Sequence, residues 1–251
     1  MSTTSLGMPA LPPRTAQPTW KQAWDTALYG PDGYLRAHPV TLERDRDELV
    51  EFLLPRLRDH ASVALLGAAG TLAATLSGLL PDVSLRPDVP TGFTGVVIAV
   101  DWLSHVPTHV VQADDDGRPR IVHVDPISGQ ESLGLLLSDP GVPPTLREWQ
   151  EQHWPLKADF ARAEIGTTRE AAWRDVLRCL ESGEAIAIEN GHLSGGRPEA
   201  GSLRAAGDLP TIPDGTRDLW ADVALDALVD ACGGTPVTGD GPERVEWVAH
   251  G

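Results

Sequence analysis

Residues 63–76, VALLGAAGTLAATL, constrain the fold more than any other stretch of this chain. Val63 to Leu66 run without a polar break into the small-residue turn Gly67-Ala68-Ala69-Gly70, and Leu72, Ala73, Leu76, Leu79 and Leu80 then recur at helical spacing. A strand that is apolar at every position has to be covered on both faces, and a strand that feeds a helix through a tight turn builds a parallel sheet. In such a sheet a ligand sits beyond the carboxyl ends of the strands, where the first strand–helix turn comes closest to it. Small residues there let backbone N–H groups reach a ligand, and an acidic residue about 20 positions later would hold ribose hydroxyls. A phosphate-binding loop is excluded, because Gly70 is followed by Thr71 and Leu72 instead of Lys and Ser/Thr. The turn by itself suits tight packing of a helix without any ligand equally well.

The rest of the chain alternates helices and strands. Trp20, Ala23, Trp24, Ala27 and Leu28 share one face of a helix stopped by Gly30, Pro31 and Gly33. Leu49, Phe52, Leu53 and Leu57 mark a second helix between Thr41, its expected N-cap, and His60. Strands are expected at 83–86, 95–100, 109–113, 121–124, 184–189 and 245–249, the third and fourth joined as a hairpin through Asp114-Asp115-Asp116-Gly117-Arg118. Helices are expected at 145–154, 167–180 and 219–232, the last closed by Gly233-Gly234. With no repeat and no second composition regime, residues 19–251 read as one α/β domain with a helical N-terminal extension over 19–60. Residues 1–18, which hold four prolines and no periodicity, read as a disordered tail.

Charge narrows the function. With 36 Asp and Glu against 20 Lys and Arg, the formal charge is −16, and phosphate backbones and anionic membrane surfaces would repel such a chain. A basic protein segment is the partner this surface suits. No run approaches the roughly 18 apolar residues of a membrane span, and the first residues lack the basic start and apolar block of a secretory signal, so a cytoplasmic location is expected. Cys179 and Cys232 have no metal spacing and read as ordinary buried thiols. Pro107 between His105 and His109 argues against a helical metal pair, so no metal site is expected. There is no Gly-x-Ser-x-Gly elbow to support hydrolase chemistry.

Three residues stand where a ligand-facing group would be. Asp101 follows the strand ending at Val100 and either orients a guanidinium and accepts its proton or caps the turn at Trp102 to His105. Glu189 ends another strand and is either a ligand contact or a solvated strand end. His192 follows a glycine in a loop and serves as a base or bonds the local backbone. Asp218, before Leu219, reads as a helix N-cap.

Five blocks in one order resemble the MidA-like S-adenosylmethionine-dependent methyltransferases, specifically their actinobacterial branch: WKQAWDTALYGPDGYLR from Trp20, VALLGAAGTLAATL from Val63, GVVIAVDWLSHVPTHVV from Gly95, RAEIGTTREAAWRDVLRCLESGEAIAIENGHL from Arg162, and IPDGTRDLWADVALDAL from Ile212. The resemblance covers about four fifths of the chain. It implies a Rossmann-like class I methyltransferase fold, a mostly parallel sheet flanked by helices, with S-adenosylmethionine held at Gly67, Ala68, Ala69, Gly70 and Ser84 and the acceptor positioned by Asp101, Glu189 and His192. Mitochondrial relatives methylate arginine on a subunit of respiratory complex I.

The departures from the family pattern fall on these contacts. Leu65 stands where the family has Asp, the glycine turn is one residue shorter with an alanine methyl at Ala69, and Ser84 replaces the Glu expected to grip the ribose. Losing that charge-assisted bond costs on the order of 1.5–3 kcal/mol. Val100-Asp101 replaces Asn/His-Glu, Ser104 replaces the next Asp, Glu189-Asn190-Gly191-His192 replaces Asp-Tyr-Gly-His, and Asp222 replaces a His. Two readings follow. One is a degenerate, shortened homologue, catalytically weak or inactive and acting through protein–protein contact. The other is an active enzyme that methylates a side-chain nitrogen of arginine in a protein partner.

Overall fold

The computed structural model describes residues 17–38, 40, 46–67, 71–207, 210–237 and 244–249. The chain begins with α1 (Trp20–Tyr29) and α2 (Arg46–Leu57), then β1 (Ser62–Leu66), α3 (Thr71–Leu79), β2 (Ser84–Arg86) and β3 (Phe93–Val100). After a 3-10 turn at Leu103–His105 come β4 (His109–Ala113), β5 (Pro119–Val124), β6 (Glu131–Leu136), α4 (Pro144–His153), β7 (Arg162–Ile165) and α5 (Thr167–Cys179). The last third holds β8 (Leu180–Ile188), β9 (Gly191–His192), β10 (Arg204–Ala205), β11 (Leu219–Trp220), β12 (Val223–Ala224), α6 (Leu225–Cys232), β13 (Thr235–Val237) and β14 (Arg244–Ala249).

Six strands form the central sheet in the order β13-β14-β8-β3-β1-β2. β1, β2, β3 and β8 pair in parallel, and only β14 runs against its neighbours. The continuous apolar runs explain its burial. Because side chains alternate across a strand, Ala64, Leu66, Val97, Ala99, Ala185 and Ala187 face α5 and α6, where Trp173 and Leu228 cover them. Their neighbours Val63, Leu65, Val96, Ile98, Val100, Ile186 and Ile188 face α2 and α3, meeting Leu49, Leu53, Leu57, Leu72 and Leu76. Each fully buried Leu or Ile contributes roughly 1.5–3 kcal/mol of transfer free energy, so both faces are needed to hold the sheet.

A second, antiparallel sheet, β6-β5-β4-β7, stands apart from the mostly parallel one and contains the hairpin expected between 109–113 and 121–124. Its hairpin is the one read from 114–118: Gly117 N–H donates to the Asp114 carbonyl, and Arg118 N–H donates to the Asp114 carboxylate. α4 covers one face, with Trp149 against Val111, Ile121, Ala163 and Ile165, and α1 covers the other, with Trp20 and Ala23 against Val110, Val122 and Val124. The two N-terminal helices therefore serve different sheets. Pro18 lies against the second one too, its carbonyl accepting the Val124 N–H; residues 1–16, and Thr41, lie outside the described residues.

The single helix expected at 219–232 is corrected. Residues 219–224 are split into β11, paired with β10, and β12, paired with β9, and only Leu225–Cys232 is helical. Backbone carbonyls of Ala221 and Asp222 are taken by the Arg169 guanidinium, which removes them from any helical ladder. Asp218 is accordingly not a helix cap. No helix of the described residues is long and apolar enough to cross a membrane; Cys179 and Cys232 are partly buried thiols outside any disulfide among the described residues, and the Cys232 thiol donates to the Glu170 carbonyl.

Candidate functional site at the carboxyl ends of the parallel strands

The chain goes from β1 outward to β2 and then returns past β1 to β3, so the sheet reverses its winding between β1 and β3. The crevice of an open α/β sheet lies at that reversal. Gly67 ends β1 there and Asp101 ends β3. Gly67 has φ +81°, and a Cβ on it would fall against the Val100 carbonyl and 2.8 Å from the Trp102 Cβ. Trp102 thus packs directly on the first turn, and glycine is required by the protein's own packing. Ala68, Ala69 and Gly70 lie outside the described residues.

Asp101 is one of two non-glycine residues with positive φ among the described residues, at +47°, and is 2% exposed. Such backbone strain persists only where the surroundings impose it. The next residues supply the reason. His105 Nδ1 lies 2.5 Å from the Asp101 carbonyl and its Nε2 lies 3.0 Å from Asp218 Oδ1, with both side chains buried. The Asp101 carbonyl and the Asp218 carboxylate, one beside each ring nitrogen, both favour the protonated ring. Burial would lower the His105 pKa, but Asp218 and the Asp101 carbonyl raise it by more. The Ser104 hydroxyl also donates to the Asp101 carbonyl at 3.0 Å.

Glu189 is neither a solvated strand end nor an open ligand contact. It is fully buried, and its carboxylate accepts the backbone N–H groups of Trp102 (2.9 Å), Leu103 (2.7 Å) and Ser104 (3.1 Å). It therefore caps the 3-10 turn from across the sheet, the role considered for Asp101. Burial and the charge of Asp101 push its pKa up to about 7 against the pull of the Leu103 and Ser104 N–H groups. Arg169 closes the network from beneath, donating to Asp222 O (2.7 Å), Ala221 O (2.9 Å) and Ser104 O (3.2 Å), its pKa lowered to about 10 by burial. Sequence reasoning missed Arg169. Its position four residues before the buried Trp173 put it on the inward face of α5.

Asp101 and Glu189 thus meet around one turn, while His192 stands apart from them on β9. Gly191 brings β9 against β12, since a Cβ there would lie 2.6 Å from the Leu225 side chain and the Val223 carbonyl. Burial and Arg197 lower the His192 pKa to about 4.

Ser84 occupies the other end of its strand. It pairs with Ser62, the first residue of β1, whereas Arg86 pairs with Ala64. The acid that lies beyond the carboxyl end of β2 is Asp88, paired with Arg86 at 3.0 Å and exposed. It follows Gly67 at the spacing of about 20 residues that a ribose-binding acid needs, and that spacing was the sequence signal for it. An open groove of about 380 Å³ lies beside it, lined by Leu66, Val89, Trp102 and Val176. Among the described residues no His, Cys, Asp and Glu cluster is placed to hold a metal.

No family model matches the sequence, and no curated protein matches it. Two solved structures from Burkholderia thailandensis are similar. One is a COG1565 superfamily member, described as a candidate methyl transferase and bound to S-adenosyl-homocysteine, with TM-score 0.64 and 20% identity over 86% of this chain and 71% of that one. The other is an uncharacterized COG1565 superfamily protein, with TM-score 0.62 and 20% identity over 86% of this chain and 70% of that one. At this identity the likeness is one of fold: a mostly parallel α/β sheet with flanking helices, of the kind seen in methyltransferase-like proteins.

Proposed function

We propose that this chain is a MidA-like relative of the S-adenosylmethionine-dependent methyltransferases that retains their class I frame and a weakened cofactor position, is catalytically weak or inactive, and acts through contact with a protein partner. The observation that carries this reading is the closure of Glu189. An acid meant to orient a substrate guanidinium has to present its oxygens to the crevice, and both oxygens of Glu189 are spent on backbone N–H groups inside the protein.

The cofactor position fits in outline. Gly67 and Asp88 would hold the nucleoside end from the carboxyl ends of β1 and β2, and the bound cofactor would supply a sulfonium methyl group. Methyl transfer depends mainly on holding that carbon and a nitrogen in line, and this chain's acceptor-side acid is withdrawn from the task. That a fold neighbour is bound to S-adenosyl-homocysteine supports a cofactor role for this fold.

A second reading, an active arginine N-methyltransferase, is favoured by one feature. Asp101 is strained, buried and set at the sheet's reversal, where such strain is often functional. Calorimetry with S-adenosylmethionine and S-adenosylhomocysteine, together with a methyl-transfer assay on an arginine-rich peptide, separates the two. We expect binding at roughly 100 µM or weaker, in keeping with the loss of a charge-assisted contact, and no transfer. Low-micromolar binding with transfer overturns the first reading.

A further inference from the structure

The second sheet opens on its α4 face. β4 and β5 pair from Ala113 and Pro119 to Val111 and Ile121 and then part, so that His109 is paired with Ile165 of β7 while Thr19 lies beside His123. Over this parting lies a pocket of about 190 Å³, walled by Ile121, Leu135, Val142 and Leu146, with His109 and His123 in its lining. An apolar wall with a few polar groups is the usual make-up of a small-molecule site. The volume is below the roughly 300–1,000 Å³ of drug-sized sites and close to the roughly 150 Å³ of an apolar cavity that holds benzene, so it suits a single ring.

The lining decides the charge of what fits. No Asp, Glu, Lys or Arg lines the pocket, so an ionic ligand would give up its hydration there without a counter-charge. No third His, Cys, Asp or Glu joins the two imidazoles to hold a metal among the described residues. The two rings differ in what they have left to offer. His123 Nδ1 donates to the Gln17 carbonyl at 2.7 Å. His109 makes no hydrogen bond among the described residues: its Nδ1 is enclosed without a partner, whereas its Nε2 is not enclosed. Burial and then the Lys21 ammonium lower the His109 pKa, which keeps the ring neutral at pH 7. A neutral imidazole has one donor and one acceptor nitrogen, and a hydroxyl can partner either. A hydroxyl therefore bonds the open Nε2 in both tautomers.

A one-ring volume, an uncharged apolar wall and one uncommitted imidazole describe a single chemistry. We propose that this pocket binds a small neutral phenol, its ring lying among Ile121, Val142 and Leu146 and its hydroxyl meeting His109 Nε2. The pocket is built on the second sheet and its ligand is not the cofactor, so neither the site nor its test depends on the methyltransferase reading.

The test is two-bond ¹H–¹⁵N correlation of the histidine rings in the full chain at neutral pH, with His109 assigned by its absence in a His109→Phe variant. In the unaltered protein phenol should move the His109 Nε2 resonance saturably, and toluene, which has no hydroxyl, should leave that nitrogen unmoved. Affinities are read from the methyl resonances of Val142 and Leu146. His109→Phe keeps a ring in place, so it should weaken phenol about fivefold, the worth of one hydrogen bond between neutral groups, and leave toluene unchanged. Benzoate should bind more weakly than phenol for want of a counter-charge. The proposal is overturned if phenol leaves His109 Nε2 unmoved, if His109→Phe binds phenol unchanged, or if benzoate saturates the pocket at a lower concentration than phenol.

Discussion

Glu189 and His192 are neighbours in sequence at the end of β8, yet the protein treats them in opposite ways. Glu189 is an anion drawn into the interior and surrounded by donors from residues 85 to 87 positions away. His192 is a neutral ring held by a cation, with one donor unanswered. The difference shows that position at the carboxyl edge of a parallel sheet does not by itself make a contact to a ligand. What matters is whether the polar groups there are already satisfied by the protein, and by that measure the β3–β8 junction is a structural joint while His192, three residues on, is left with one buried donor unanswered.

The comparison breaks most easily at Glu189. Glu189→Ala leaves three buried N–H groups without an acceptor and should cost about 3–5 kcal/mol, read as a lowered midpoint in urea unfolding. A loss below about 0.5 kcal/mol would show that the acid is not the cap of the turn. Gly67→Ala should cost about 2 kcal/mol, from its left-handed backbone and the contact with Trp102.

The pH response sharpens the contrast. Glu189 has a raised folded pKa of about 7, so its contribution is present below the unfolded carboxylate range and is lost as pH rises from about 4.5 to about 7. His105, also raised, adds to that loss at higher pH. His192 is lowered to about 4, so its contribution is present above about 6.5 and is lost as pH falls toward 4. The two oppose one another between pH 4.5 and 6.5. The two nearly offset there, so His192→Gln should uncover a fall of stability with rising pH across that window and Glu189→Gln should uncover a rise, both measured as urea midpoints at several pH values. The smallest effect is expected at Lys157→Ala, which should change stability by less than about 0.5 kcal/mol because the side chain is exposed and makes no ion pair among the described residues.

Much of the frame was legible in the sequence because it rests on local pattern. The unbroken apolar runs of β1, β3 and β8 announce strands covered on both faces, and Asp114 to Arg118 announces a hairpin. β6 was not legible: its residues are mostly exposed, with Leu133 and Leu135 partly facing solvent, so no alternation marks it. β7 has four residues and no turn signal before it. At 219–224 a helical spacing of apolar residues was overridden by Arg169, which claims carbonyls more than 50 positions away. The site divides in the same way. That Asp101 and Glu189 end strands could be read from sequence, but that Glu189 is consumed by a distant turn could not, since only the folded sheet brings them together. Asp88 was within reach of a spacing rule, and Ser84 was misplaced because an alignment of strand residues says nothing about which end faces the crevice.

The packing of α1 also has a consequence in time. Trp24 Nε1 donates to the Leu219 carbonyl, 195 positions later, and Trp20, Trp24 and Leu28 are buried against segments from the middle and end of the chain. On a ribosome adding about 5–20 residues per second, the tryptophan face of this first helix waits roughly 10–40 s for the backbone that completes its cover. This face is thus made long before the segments that shelter it, and in that interval its tryptophans are open to solvent and to chaperones.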